Sequence, residues 1–292
     1  MNSKKEKGKL PKDWLDQINN SGKLFEQQVA LELQKSGFGL VIPNYSFLDI
    51  DQEESRELDV FAITARKIGR KNNFIFPILL VSVKAMPLVC FTRHENIKNY
   101  IAGDISFTGT PKNVFIRGEE TDLIEFLNFS KQYHFYKYKR VSTQFLSPLS
   151  KDKQTEYFNK GLIIPLVKAL IAEEKDHEKG WEFDPDGEPI NLQFYYPIII
   201  VKELWDYNVL PEEKFECSKV HRLGFLAHYC TTEKTYDVHI DICDMKGAQG
   251  LLKIINDETE YIFDKVKNNI KILEKSAFTE AQRKIAKANS KK

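Results

Sequence analysis

Three short segments in the first hundred residues of this 292-residue chain carry side chains that could do chemistry together. Glu26 stands beside a stripe formed by Phe25, Val29 and Leu33 at i, i+4 and i+8, one face of a helix that Gly37 would end. Glu57 and Asp59 follow as E-L-D in a β-rich run, on one face by strand period. The longest β-rich apolar run, FIFPILLVSVKA, closes on Ser82-Val83-Lys84, with Ser82 and Lys84 on one face and Val83 on the other. A lysine ending an otherwise buried strand is costly unless it faces a cleft or an acid. Acids on one element and a lysine on its neighbour suit hydrolysis of a phosphodiester. Carboxylates hold a hard divalent cation, usually Mg²⁺ with several of its waters. The cation polarises the phosphoryl oxygen and acidifies a water, while the lysine orients that water and offsets developing charge. Taken singly, each residue has an ordinary reading: an exposed helix glutamate, a turn aspartate, a lysine snorkelling from a strand end.

GKLFEQQVALELQKSGF, ELDVFA and LLVSVKA, in this order, resemble the PD-(D/E)xK nuclease superfamily, the restriction-endonuclease-like fold. The resemblance spans residues 20–90 and implies a metal-dependent phosphodiesterase site. It matches Glu26 to the helix acid, Asp59 to the metal-binding aspartate and Lys84 to the catalytic lysine. Ser82 departs from it, standing where the family has Asp or Glu; a hydroxyl can bind a metal's water but brings no charge. Either Glu57, Glu26 or a residue from elsewhere supplies the acid, or the protein binds without cutting. The expectation is therefore a Mg²⁺- or Mn²⁺-dependent nuclease acting on DNA in restriction or antiviral defence. Its rival is a catalytically silent protein of the same fold that binds nucleic acid or a protein partner. A defence complex or a second copy of the chain are the protein partners considered.

Other constellations are weaker. Cys217, Cys230 and Cys243 recur every 13 residues among His221, His228 and His239, but only Cys217/His221 and His228/Cys230 approach zinc-ligand spacing. Cys90 with His94 is a faint thiol pair, since nothing orients the imidazole. Gly247 and Gly250 are too sparse for a phosphate loop. Tyr133–Arg140, YHFYKYKR, either stacks bases and touches phosphates or is an amphipathic strand with its aromatics inward. Asp241 and Asp244 read as strand-end and turn acids.

The elements that must position these residues read as mixed α/β: a mixed central sheet flanked by helices, of α+β character. Strands are expected at 38–47 (broken by Pro43), 57–64, 74–85 and 192–201, with a hairpin at 223–229 and 236–243. Polar turns are expected at 49–56 and 66–73, and short helices at 95–102 and at 121–128, the latter capped by Thr121. Residues 154–174 read as a helix kinked or restarted at Pro165, 178–189 as a loop, and 245–275 as one long amphipathic helix. The organisation expected is a basic arm over 1–20, an α/β domain over 21–245 and a C-terminal helix and basic tail over 246–292.

Composition, at 42% hydrophobic and 29% charged, fits a folded domain with a real core. No run of about 18 apolar residues is present, so membrane spanning is not expected. Met1–Leu10 is lysine-rich without an apolar stretch, unlike a secretory leader. Four cysteines make no disulfide framework in a chain this long, which suits a reducing, cytoplasmic setting. The net charge of +1 conceals five basic residues in each terminal dozen and a body of −8 between them. Such tails either graze phosphates or are simply solvated.

Overall fold

Two apolar, β-branched runs near residues 74–85 and 192–201 set the architecture, because runs with no polar face need cover on both sides. In the computed structural model, which describes residues 11–69, 71–93, 105–147, 159–179, 190–210, 214–231 and 234–290, both runs lie in long strands. β4 spans Asn73–Arg93 and β9 spans Asn191–Val209, paired in parallel from Phe74↔Asn191 to Arg93↔Val209 with one irregularity between Lys84 and Pro87. They follow α1 (Lys12–Asn20), α2 (Lys23–Lys35), β1 (Leu40–Asp49), β2 (Glu54–Ile63) and β3 (Arg66–Ile68). Between them come β5 (Phe107–Thr110), the small hairpin β6 (Asn113–Ile116) and β7 (Glu119–Asp122), α3 (Leu123–Phe126), β8 (Val141–Leu146) and α4 (Ile164–Lys179). β10 (Phe215–Val220), β11 (Arg222–Cys230), β12 (Thr235–Cys243), α5 (Met245–Asn268) and α6 (Ile270–Asn289) complete the chain.

Ten strands form one mixed sheet, with β6 and β7 apart from it, so the expected mixed sheet flanked by helices is observed. Its order is β1-β2-β4-β8-β11-β12-β9-β10, and because β4 also pairs with β9, the path from β4 through β8, β11 and β12 returns to β4 as a closed ring. Each face buries its own core. On one, Val29 and Leu33 of α2 and Leu251, Ile255, Ile262 and Val266 of α5 meet Val60, Leu79, Val81 and Val83. On the other, Leu166, Val167 and Leu170 of α4 meet Ile78, Leu80, Leu88, Ile199 and Ile240. At about 1.5–3 kcal/mol for each fully buried large apolar side chain, these two layers supply most of the driving force.

Several sequence expectations are corrected. Pro43 does not break β1: it pairs with Val60 on an edge strand, where a missing N–H goes unmissed. The turn at 49–56 narrows, because β1 runs to Asp49 and β2 begins at Glu54. Residues 66–68 form a strand against β4, and β4 continues eight residues past Ala85. α3 is capped by Asp122, whose carboxylate accepts from the Ile124 and Glu125 N–H groups, and not by Thr121. The long C-terminal helix ends at Asn268 and a second begins at Ile270. A π-helical turn over Asn159–Ile163 leads straight into α4 at Ile164, so Pro165 stands at a restart of the helix, one of the two alternatives the sequence offered. The 223–229/236–243 hairpin is observed as β11 and β12. The helix expected at 95–102, residue His94 and most of the basic N-terminal arm lie outside the described residues. Among the described residues, no helix is long and apolar enough to cross a membrane.

Candidate functional site

Asp59 lies where the β2–β4 ladder comes apart. The described pairing ends at Val60↔Val81. Leu58 lies in one core and Val60 in the other, so the two-residue alternation slips at Asp59. The freed Val83 N–H donates to Asp59 Oδ2 at 2.6 Å, satisfying a backbone donor that the ladder has released. On the same stretch of β4, the Lys84 ammonium comes to 3.9 Å from Asp59 Oδ2.

α2 delivers the third group. Gly22 enters that helix at φ 76°, in the left-handed region, and a Cβ there would lie 3.9 Å from the Ala85 Cβ. The first turn of α2 therefore sits over Lys84–Ala85, midway along β4, and Glu26, 8% exposed, is buried there. Lys23, three residues earlier on the same helix face, donates to Glu26 Oε2 at 2.8 Å and to Asn44 Oδ1 of β1 at 3.2 Å.

The electrostatics tie these groups into one cluster. Burial raises the Asp59 carboxyl above its ordinary value, against the pull of the Lys84 ammonium and the Val83 N–H; the Glu26 charge adds repulsion and Lys23 attraction. The Glu26 contact raises the Lys23 pKa against the cost of desolvation, and the charges of Glu26, Asp59 and Glu57 reinforce it. The structure thus brings together Glu26, Asp59 and Lys84, and adds Lys23 and Asn44, which sequence reasoning missed. Lys23 was detectable in principle by its i,i+3 spacing to Glu26. The role of the Val83 N–H left no mark in the sequence, because backbone groups carry no side-chain signature.

Glu57 and Ser82 stand differently. Glu57 is exposed and is felt at Lys23. Ser82 is buried, opposite Ile199 of β9, on the face of β4 that carries Ile78 and Leu80. Among the described residues, no cluster of three or more His, Cys, Asp or Glu is arranged to hold a metal ion. What the site offers is a pair of carboxylates from different elements, Asp59 and Glu26, with hard oxygens. One or two carboxylates suffice for a Mg²⁺-type cation that keeps its waters, though not for a closed protein cage.

The remaining candidates resolve as structural. Cys90 is fully buried, which pushes its thiol pKa far up, and Cys217 and Cys230 are exposed on strands. His221 bonds Asp244 at 2.7 Å, and His228 pairs with Asp237 across the hairpin. Asp244 caps α5, accepting from the Gly247 N–H at 2.8 Å, while Gly247 itself leaves no room for a Cβ against the His221 carbonyl. The aromatic-basic stretch is not a strand: residues 134–137 form a 3₁₀ turn, with Tyr133, His134 and Phe135 buried. Those three rings are closed to nucleobases.

That turn instead anchors a buried ionic network under α5. His134 Nε2 meets Asp241 Oδ2 at 2.8 Å, and its Nδ1 meets Glu258 of α5 at 3.0 Å. Tyr138 donates to the second oxygen of Asp241, and the Arg222 guanidinium lies 5.2 Å from the Tyr138 ring centre. Burial opposes the His134 charge, but the two carboxylates overcome it and push the pKa up to about 10. His239 stacks on Phe135 at 4.2 Å, and burial holds it neutral with a pKa of about 4. No family model, curated protein or solved structure compared with this chain matches it.

Proposed function

We propose that the Asp59–Lys84–Glu26 cluster is a phosphodiester-cleaving site and that the protein is a metal-dependent nuclease acting on DNA, in restriction or antiviral defence. One observation carries this reading: a helix acid, a strand aspartate and a strand lysine, spread over sixty residues of sequence, converge where two strands part. Such splaying leaves an aspartate and a lysine addressing the same space midway along β4, where β2 leaves it and a phosphate would approach. Asp59 and Glu26 would hold a Mg²⁺ or Mn²⁺ ion, which when bound supplies charge neutralisation and an acidified water. Lys84 would donate to a phosphoryl oxygen and orient the attacking water from beside Asp59. The Val83 N–H fixes the rotamer of Asp59, so the carboxylate is held ready before substrate arrives.

The second reading, a silent member that binds nucleic acid or a protein partner, is favoured by the uncharged, buried Ser82 and by the two-acid donor set. Purified protein incubated with plasmid and with single-stranded DNA, in Mg²⁺, in Mn²⁺ and in EDTA, separates the two. Cleavage that EDTA abolishes, and that Asp59→Asn and Lys84→Ala each reduce by a factor of about a hundred or more, is the expected outcome. DNA binding with no cleavage in either metal selects the silent reading.

A further inference from the structure

The Lys23–Glu26 contact looks like an ordinary i,i+3 helix pair, worth a few tenths of a kcal/mol at a surface. Its surroundings are not ordinary. Lys23 keeps 61% of its side chain exposed, whereas Glu26 keeps 11%. The ammonium is held from a second element by Asn44 Oδ1, and it feels Asp59 and Glu57 as well as Glu26. The charges of three acids therefore act on it, with Glu26 alone in contact, and the other cation of the cluster, Lys84, lies beside Asp59. The carboxylate it occupies is one of the two that the proposed site offers a divalent cation.

We infer that Lys23 is a built-in counter-cation of this site: it neutralises Glu26 while no metal is bound and must release Glu26 for a metal to be held. The inference rests on the proposed nuclease reading and assigns Lys23 a positioning role within it. Two physical facts support the exchange. A buried carboxylate without a partner is costly, so Glu26 needs a cation in both states. A lysine with most of its length in water can swing aside with no loss of core packing, whereas Glu26 cannot follow it. Competition of this kind lowers metal affinity and favours ions present at high concentration. It also gives the displaced ammonium a new use at the rim of the site, where a substrate phosphate would arrive.

The test is Mn²⁺ binding to the full chain, read by the loss of the free-ion electron paramagnetic resonance signal, with no substrate and no activity measurement. Lys23→Met should bind Mn²⁺ on the order of tenfold more tightly than wild type, since one repelling charge a few ångströms away is removed. Lys23→Arg, which keeps the charge, should stay within about twofold of wild type. In a Glu26→Gln background the gain from Lys23→Met should vanish, because the carboxylate contested by the two cations is gone. Unfolding midpoints within a few degrees of wild type confirm that each variant is folded. If Mn²⁺ binds wild type in an Asp59-dependent way but Lys23→Met binds no tighter, the counter-cation role is overturned and the nuclease reading stands. If neither wild type nor Lys23→Met binds Mn²⁺, both are overturned.

Discussion

Ser82 is the residue on which the proposed chemistry turns. It sits one position from Val83, whose N–H Asp59 accepts, but on the face of β4 that carries Leu80 and opposite Ile199, so an added acid must reach past that face to meet Lys84 and Asp59. Ser82→Glu adds a third carboxylate to a site that has two. Burying it costs stability on the order of 1–3 kcal/mol, partly offset by the nearby Lys84 ammonium. The expected result is a lower unfolding midpoint together with Mn²⁺ affinity raised about tenfold, measured by titration of the purified variant. Lower stability with unchanged affinity would mean that the added carboxylate stays on the face of Leu80 and Ile199 and does not reach the ion. Legibility at this scale was uneven. Lys84 could be picked out because a charge is expensive beside an apolar run, and Glu26 and Asp59 by their places on a helix and a strand in the order of the resembled nuclease pattern. Asn44 could not, since a polar residue after a proline reads as turn-forming, and nothing local says that a β1 residue will reach Lys23.

Elements, unlike single residues, were legible where one periodicity ruled. The stripe of α2, the first half of β4 and the β11–β12 hairpin follow the sequence pattern because burial on a fixed face dictates it. Tyr133–Arg140 alternates as a strand would, yet residues 134–137 form a 3₁₀ turn, in which His134 bridges Glu258 and Asp241. That bridge is the main polar tie among the 3₁₀ turn, α5 and β12. His134 has a folded pKa of about 10 against an ordinary 6.5, so its stabilisation is complete below about pH 6.5 and is lost as pH rises through about 10. Asp241 is shifted down by the His134 charge despite its burial, and it contributes in the opposite sense, losing its share only as acid protonates it. Between pH 7 and 10 the wild-type unfolding midpoint should therefore fall more steeply than that of His134→Gln, and parallel slopes would contradict a charged His134. Glu258→Ala, which strands the imidazolium beside one partner, should cost roughly 3–5 kcal/mol in denaturant unfolding. A loss below about 1 kcal/mol would mean the pair is not buried as drawn.

The whole molecule ties the candidate site to its far end. α5 and α6 follow the last strand, and the sequence invited a boundary near residue 245, yet α5 closes the same core as α2. Leu251, Leu252, Ile255, Ile262 and Val266 all lie against the sheet beside Val29, Leu33 and Val83. The sequence could not reveal this, because an amphipathic helix has the same pattern whichever surface it covers. Nor could it reveal the ring closure, which depends on pairing β4 with β9 more than a hundred residues away. The energetic consequence is large. At about 1.5–3 kcal/mol for each buried apolar side chain, α5 alone accounts for a sum comparable to the 5–15 kcal/mol that holds a typical domain folded. A chain cut after Asp244 should therefore not fold: it should bind a hydrophobic dye, lack near-ultraviolet dichroism and lose the Glu26–Asp59 site along with the core beneath α2. In the intact chain, unfolding followed by far- and near-ultraviolet dichroism should give one coincident transition, because β2, β4, β9 and β12 contribute to both cores. A shortened chain that melts cooperatively with native near-ultraviolet dichroism would show that the helices are an appendage, and the candidate site would then be independent of them.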